Sequence, residues 1–255
     1  MTASLTLTAL DGVPTIGADH DLVAVIAAAL ERSGVSLRDN DILILAQKIV
    51  SKAEGRAVPL SSITPSTRAC ELAAQSNKDP RLVELILQES CDVLRCRPGL
   101  LIVVHRLGFV LANAGIDASN VEAADGAETV LLLPADPDTS AANLRARISE
   151  TFGVDVGIII NDSLGRAWRL GTVGTAIGAA GVPGLLDLRG SPDRCGRPLR
   201  VTEVGIADEA AAAASLLMGQ AAAGRPIVHV RGFPYPPGPG AAADLIRPQQ
   251  MDLFR

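Results

Sequence analysis

The chain has 255 residues, 48% of them apolar but only 2% aromatic, and carries a formal net charge of −5. That length supports a full core without disulfide staples, and the core has to be built from Ala, Val, Leu and Ile. An acidic chain with no Lys/Arg cluster excludes a general nucleic-acid binder, while one local basic site still has room for a small anion.

The opening "MTASLTLTALDGVPTI" lacks the basic start and long apolar stretch of a secretory signal. "DLVAVIAAAL" falls well short of the roughly 20 apolar residues of a membrane span, so a soluble, cytoplasmic protein without a membrane partner is expected. Cys70, Cys91, Cys96 and Cys195 form no C-x-x-C pair and have no neighbouring His. They read as buried or incidental thiols in a reducing compartment rather than a zinc site.

In chain order, Asp21 to Ser33 has the pattern of an amphipathic helix closed by Gly34. "DILILAQKIV" is a buried strand centred on Ile42 to Ala46 that runs into the polar stretch "SKAEGR". Two helices follow, one after "TPST" and one after Pro80. "LLIVVH" and "GFVLAN" form a hairpin turning near Gly108, with "NAGIDASN" at its exit, and "TVLLLP" is a further strand. "DPDTSAANLRARISETFG" is a helix with a capped start and Gly153 at its end. "VDVGIIIND" is a strand ending at Asn161-Asp162-Ser163, where Gly165 breaks the chain, and the Gly-rich residues to 184 show no clear period. "ADEAAAAASLLMGQ" is a helix and "PIVHV" a strand; "GFPYPPGPG" then breaks the pattern, and loosely ordered residues are expected after it. The division is therefore a main domain over residues 1–233 and a Pro/Gly-rich tail over 234–255. The hairpin argues for an α+β fold rather than strict βαβ alternation.

Four polar stretches follow apolar elements, where sites are usually built. In "NDSLGRAWR", Asp162 and the Ser163 hydroxyl offer oxygen ligands of the kind Mg²⁺ or Mn²⁺ takes, and Arg166 and Arg169 are suited to clamp phosphate or carboxylate. An Asx turn with two surface arginines explains the same residues. In "NAGIDASN", Asp117 supplies a second carboxylate and Asn120 a neutral partner for a base or sugar, although Asn, Asp and Gly also make ordinary turns. In "AQKIVSKAEGR", Lys48 and Lys52 are point charges fit for phosphate, or the solvated end of a strand. The fourth stretch is "LLMGQAAAGRP". The sequence has no P-loop, no G-x-G-x-x-G after a strand and no G-x-S-x-G elbow, and its three histidines are scattered.

Taken together, "DGVPTI", "QKIVSKAEGR", "NAGIDASN", "DPDTSA", "NDSLGRAWRLGTVGTAIG", "ADEAAAAASLLMGQ" and "VRG" resemble the coenzyme F420-0:γ-glutamyl ligase family across nearly the whole chain, in order and with compatible spacing. The resemblance implies an intertwined homodimer of unusual α+β fold. Its activity would join L-glutamate to F420-0 at the expense of GTP, then add a second, γ-linked glutamate through an acyl-phosphate route. It implies two divalent ions, Mg²⁺ or Mn²⁺, and a stimulating K⁺. By motif match, Asp117 and Asp162 would ligate one metal, and Ser163 and Gln220 would belong to the second. Arg166, which follows close on Asp162 in the chain, is expected beside them as a catalytic clamp. The nucleotide would contact Val13, Pro14, Thr15 and Ile16, then Gln47, Lys48 and Lys52. It would also meet Asn120 and the segment Met218, Gly219, Gln220 to Gly224 and Arg225.

The chain departs from relatives in four places. Ser163 replaces a Thr, Gln47-Lys48 a Ser-Thr, Gln220 a Glu found in some, and "AAAG" a more Gly-rich loop. No fused oxidoreductase domain is expected. Two other readings stay open: an amide ligase of the family acting on another acidic acceptor, and a non-catalytic GTP-binding regulatory protein.

Overall fold

Four of the six α-helices among the described residues start on a side chain that accepts a backbone N–H: Asp21, Ser66, Asp79 and Asp136. Each satisfies a donor that the first helical turn leaves unpaired. The structure, a computed structural model, describes residues 4–117, 128–236 and 238–252. Its elements begin with β1 (Thr6–Ala9), α1 (Leu22–Arg32), β2 (Ile42–Ala46), α2 (Gln47–Ala53), β3 (Ala57–Pro59), α3 (Thr67–Ser76) and α4 (Pro80–Gln88). Next come β4 (Ser90–Arg97), β5 (Leu100–His105), β6 (Val110–Ala112), β7 (Thr129–Leu131) and α5 (Pro137–Phe152). The order ends with β8 (Gly157–Arg166), β9 (Arg169–Ala180), β10 (Leu186–Asp187), β11 (Glu203–Val204), α6 (Ile206–Met218) and β12 (Ile227–Arg231).

The main sheet has the order β1-β12-β2-β8-β9, and β2 with β8 is its one parallel pair. Leu43 and Leu45 of β2 face a core shared with α1, α2 and α5, whereas Ile42 and Ile44 face α6. Burial on both faces removes any polar alternation, so the strand reads as a continuous apolar run. A smaller antiparallel sheet, β4-β5-β6, is covered by α3 and α4. β3 and β7 form a two-stranded ribbon, as do β10 and β11. Mixed sheets with helices on both faces give the α+β architecture that the hairpin pointed to.

Several expectations need correction. The strand at Ile42 does not run on into "SKAEGR": the chain becomes helical at Gln47, with no side-chain cap to announce it. β8 does not stop at Ser163 but continues to Arg166 and returns as β9, so most of the Gly-rich residues without a clear period form a strand. Their glycines make room for neighbours. A Cβ at Gly174 would stand 2.5 Å from the Ala211 carbonyl oxygen of α6, and one at Gly178 2.4 Å from that of Pro137 at the start of α5.

β1 and β4 were not anticipated. Part of the chain beyond the Pro/Gly break is held against the body: Ala242 is fully buried, and its N–H and that of Ala243 donate to Asp138. The cysteines are not buried thiols, since Cys70, Cys91 and Cys195 are exposed and Cys96 is half-buried. Among the described residues no helix is long and apolar enough to cross a membrane.

Candidate active site

A cleft of about 940 Å³ opens where β2 ends and its parallel pairing with β8 stops, at Ala46 and Asn161. Chain leaving parallel strands at that end diverges and leaves a crevice, the usual ligand position in such sheets. One wall is the Val13–Ala18 loop after β1; α2 brings Gln47 and Lys48 from its first turn and Lys52 from its last. Asn161, Asp162 and Ser163 form the floor, and the end of α6 with the loop Gly219 to Pro226 makes the opposite wall.

Asp117 reaches the cleft from the smaller sheet. Its N–H and C=O pair with Leu131 of β7 at 3.0 and 2.8 Å, and Leu131 pairs on its other side with Ala57, just past α2. β7 thus lies between Asp117 and the exit of the helix that carries Lys48. The turn before it has three successive left-handed residues, Asn113, Ala114 and Gly115 (φ 51°, 54° and 65°). Ala114 holds that conformation against its Cβ, a local strain that the packed surroundings must offset. Asn113 braces the turn, since its Oδ1 accepts the Leu101 N–H at 3.1 Å. "NAGID" is therefore a rigid bracket for one carboxylate.

Lys48 Nζ sits 2.5 Å from Asp117 Oδ2, both side chains half-buried. Asp162 lies deeper. Burial raises its carboxyl to about 6; the Ser163 N–H, donating to Oδ1 at 2.8 Å, opposes this, the nearby Asp117 charge adds to it, and Lys48 counters in turn. Two carboxylates thus converge on a floor that also presents the Ser163 hydroxyl, with Lys48, Lys52 and Arg225 lining the same cleft. This arrangement suits an anionic ligand bridged to a hard cation.

The sequence matches the profile of the family described as F420-0:gamma-glutamyl ligase over residues 12–232. The chain belongs to this family. Among its relatives, the coenzyme F420:L-glutamate ligase of Methanothermobacter thermautotrophicus is 44% identical over 98% of this chain and 99% of its own. The protein of the same name from Methanopyrus kandleri is 46% identical over 92% and 91%, and that from Archaeoglobus fulgidus 44% identical over 96% and 94%.

In this F420-0:gamma-glutamyl ligase family member, the structure brings together most of the residues picked from sequence. Val13, Pro14, Thr15 and Ile16 line the cleft, as do Gln47, Lys48, Lys52, Asp117, Asp162 and Ser163, and Met218, Gly219, Gln220, Gly224 and Arg225 complete it. Gln47 is buried rather than reaching outward, and its Oε1 accepts the Ser51 hydroxyl at 2.9 Å. Asn120 lies outside the described residues.

Arg166 is not among the cleft residues: it is exposed at the far end of β8. Extended chain at about 3.3 Å per residue carries it roughly 13 Å beyond Asp162. A break at Gly165 would have folded it back; the strand takes it away.

Sequence reasoning passed over Asn161, Thr172 and Ser215, which also line the cleft. A lone Ser near the end of an Ala-rich helix was the one available signal for Ser215.

Among the described residues no three His, Cys, Asp or Glu gather as a ready metal cage. The donor set is nonetheless all oxygen, and the mutual repulsion of Asp117 and Asp162 is the kind that a cation relieves. Mg²⁺ and Mn²⁺ are commonly held by one or two carboxylates, with water and phosphate oxygens completing the shell. The residues present fit such an ion.

Proposed function

We propose that this protein joins L-glutamate to coenzyme F420-0 with GTP as the energy source, then adds a second glutamate through a γ-linkage, using Mg²⁺ or Mn²⁺ and stimulated by K⁺. The observation that carries the reading is the convergence of Asp117, Asp162 and the Ser163 hydroxyl with Lys48, Lys52 and Arg225 in one cleft. The relatives named coenzyme F420:L-glutamate ligase supply the substrates.

A carboxylate is a poor acylating agent because oxide is a bad leaving group. In the proposed route a carboxylate oxygen of F420-0 attacks the γ-phosphorus of GTP, GDP departs and an acyl phosphate forms. The glutamate amine then attacks the acyl carbon, the C–O bond to phosphate breaks, inorganic phosphate leaves and the nitrogen gives up its proton to form the amide.

Asp117 and Asp162, with Ser163 and Gln220, would hold the divalent ions. Bound ions would neutralise phosphate oxygens and draw electron density from the γ-phosphorus. Lys48, Lys52 and Arg225 add positive charge around the phosphates, so positioning and charge neutralisation supply the rate and no nucleophilic side chain is needed. The Val13–Ile16 loop and the Gly219–Arg225 loop close on the nucleotide from two sides. Gly219 and Gly224, both at positive φ, permit a backbone path that larger residues resist.

The homodimer belongs to the same reading. The β8–β9 hairpin exposes Trp168 (86%) and Leu170 (99%), and Val201 is also exposed. A dimer contact over the hairpin would bury this apolar surface.

The test is an end-point assay with F420-0, L-glutamate, GTP and Mn²⁺ or Mg²⁺, read by mass spectrometry. Glutamate-sized additions matched by GDP release are expected. GDP release without that product points to another acceptor, and GTP binding without turnover to a regulatory protein.

A further inference from the structure

Asn161 immediately precedes Asp162 on β8 and is only 4% exposed. Its Nδ2 donates to Ser215 Oγ at 3.0 Å and to Met218 Sδ at 3.4 Å, both on the last turns of α6. Its Oδ1 has no hydrogen-bond partner among the described residues and lies against the bare backbone of Gly174 on β9. A Cβ at Gly174 would stand 2.8 Å from that oxygen and 2.1 Å from Ser215 Oγ, so the glycine is what allows the amide and the hydroxyl to meet there.

The register between β8 and β9 shifts between Ile160 and Asn161, an irregularity of the sort that re-aims side chains beside sites. Ala176, the strand partner of Asn161, donates its N–H to Asp208 Oδ1 at 2.8 Å. The helix is therefore fastened at both ends to one short piece of sheet. At its far end it releases Gly219 and Gln220 into the cleft.

A buried amide that leaves its acceptor unpaired opposes folding, and an apolar residue of similar size would avoid that penalty. Stability alone therefore does not account for Asn161. We infer that Asn161 is a positioning residue, a strut that locks the strand end carrying Asp162 and Ser163 to the helix end feeding the loop Gly219 to Arg225. The inference rests on the nucleotide and divalent-ion reading proposed above. It gives that reading a physical link: cation binding at the strand and nucleotide binding at the loop act on one rigid unit, so each strengthens the other, and the linkage is reciprocal.

The test measures GDP affinity by calorimetry in buffer with Mn²⁺ and in buffer with EDTA, the ratio of the two Kd values being the coupling factor. Asn161→Val and Ser215→Ala each keep the melting temperature of the wild type and lower the coupling factor about tenfold. The double variant loses no more than either single one, because both remove the same link. Ser215 is half-buried on the helix, so its Ala variant reads the coupling even if Asn161→Val folds poorly.

Unchanged coupling in the variants, or losses that add in the double variant, overturns the strut. So does a loss that tracks a fall in melting temperature and recovers on cooling. A wild type that binds no GDP under either condition removes the functional reading itself, and the inference with it. Intact wild-type coupling beside unaffected variants removes Asn161 alone.

Discussion

Replacing Glu89 with Gln should destabilise the protein by about 3 kcal/mol at neutral pH, and the deficit should shrink in acid. Glu89 is buried and accepts from Arg56 Nη2 at 3.1 Å on each oxygen and from Arg106 Nε at 3.1 Å, with His105 Nε2 3.5 Å away. Burial pushes its carboxyl upward, but the His105 contact and the charges of Arg106 and Arg56 prevail, holding it at about 2 instead of 4.5. A depressed carboxyl stabilises the fold above its unfolded value and loses that contribution as pH falls. The effect is therefore complete above about pH 5, about 2 kcal/mol at pH 3.5, and gone below about pH 2.

For a chain of this size each kcal/mol moves the melting temperature by about 2–4 °C, so Glu89→Gln should melt about 6–12 °C lower at pH 7. Thermal melts at pH 7 and 3.5 test this, and a variant within about 2 °C of wild type at pH 7, or an equal deficit at both pH values, refutes the reasoning. The cluster also bears on the cleft. Arg56 directly follows the turn after α2, its C=O accepts the Leu132 N–H at 3.1 Å, and Arg106 sits at the turn of the hairpin that leads to Asp117. Glu89 thus pins the Lys48 side of the site to the Asp117 side, and Mn²⁺ affinity should fall in the same variant.

Asp162→Asn should abolish metal-dependent turnover yet melt at or above the wild type in metal-free buffer at pH 7.5, because burial and Asp117 disfavour its charged form. Near-normal turnover with unchanged metal dependence would take Asp162 out of the site. Asp138 accepts from Ala179, Ala242 and Ala243 at 2.8, 2.8 and 3.1 Å, so Asp138→Ala should cost about 3 kcal/mol and expose Leu245 to early chymotryptic cleavage. Digestion at wild-type rate would show that the C-terminal segment is held some other way. Light scattering should give a dimeric mass that falls to the monomer in the Trp168→Glu, Leu170→Glu double variant, and a monomeric wild type would remove the dimer.

What the sequence discloses is chemistry acting over one turn or one strand. α5 could be bounded by eye because Asp136 accepts the Thr139 N–H and Gly153 takes the left-handed exit, both local events. β2 could be found because burial on both faces leaves an unbroken apolar run. α2 could not, since it starts on Ala46 without a side-chain cap and its seven residues are too few to establish a period. β9 was hidden by its own glycines, which read as loop when each is taken alone. Gly174 and Gly178 are small because α6 and the start of α5 lie within Cβ reach, a fact of tertiary packing that no window around them contains.

The candidate site divides along the same line. Each polar stretch was visible at the end of its element, but whether Asp117 and Asp162 meet depends on pairings between distant segments. Asp117 is hung on Leu131, Leu131 on Ala57, and Ala46 pairs with Asn161, so α2, entering at Gln47 and leaving toward Ala57, is the hub between the two carboxylates. Arg166 shows the converse. Four residues from Asp162 in sequence, it was placed in the site by proximity, and one continuous strand carries it away. Nearness in sequence does not bring Arg166 to the cleft, and strand pairing is what brings Asp117 there. The parts of a site can thus be read from residue type, whereas its assembly is a property of long-range pairing, and Asn161, whose partners are 54 and 57 residues away, falls wholly on the second side.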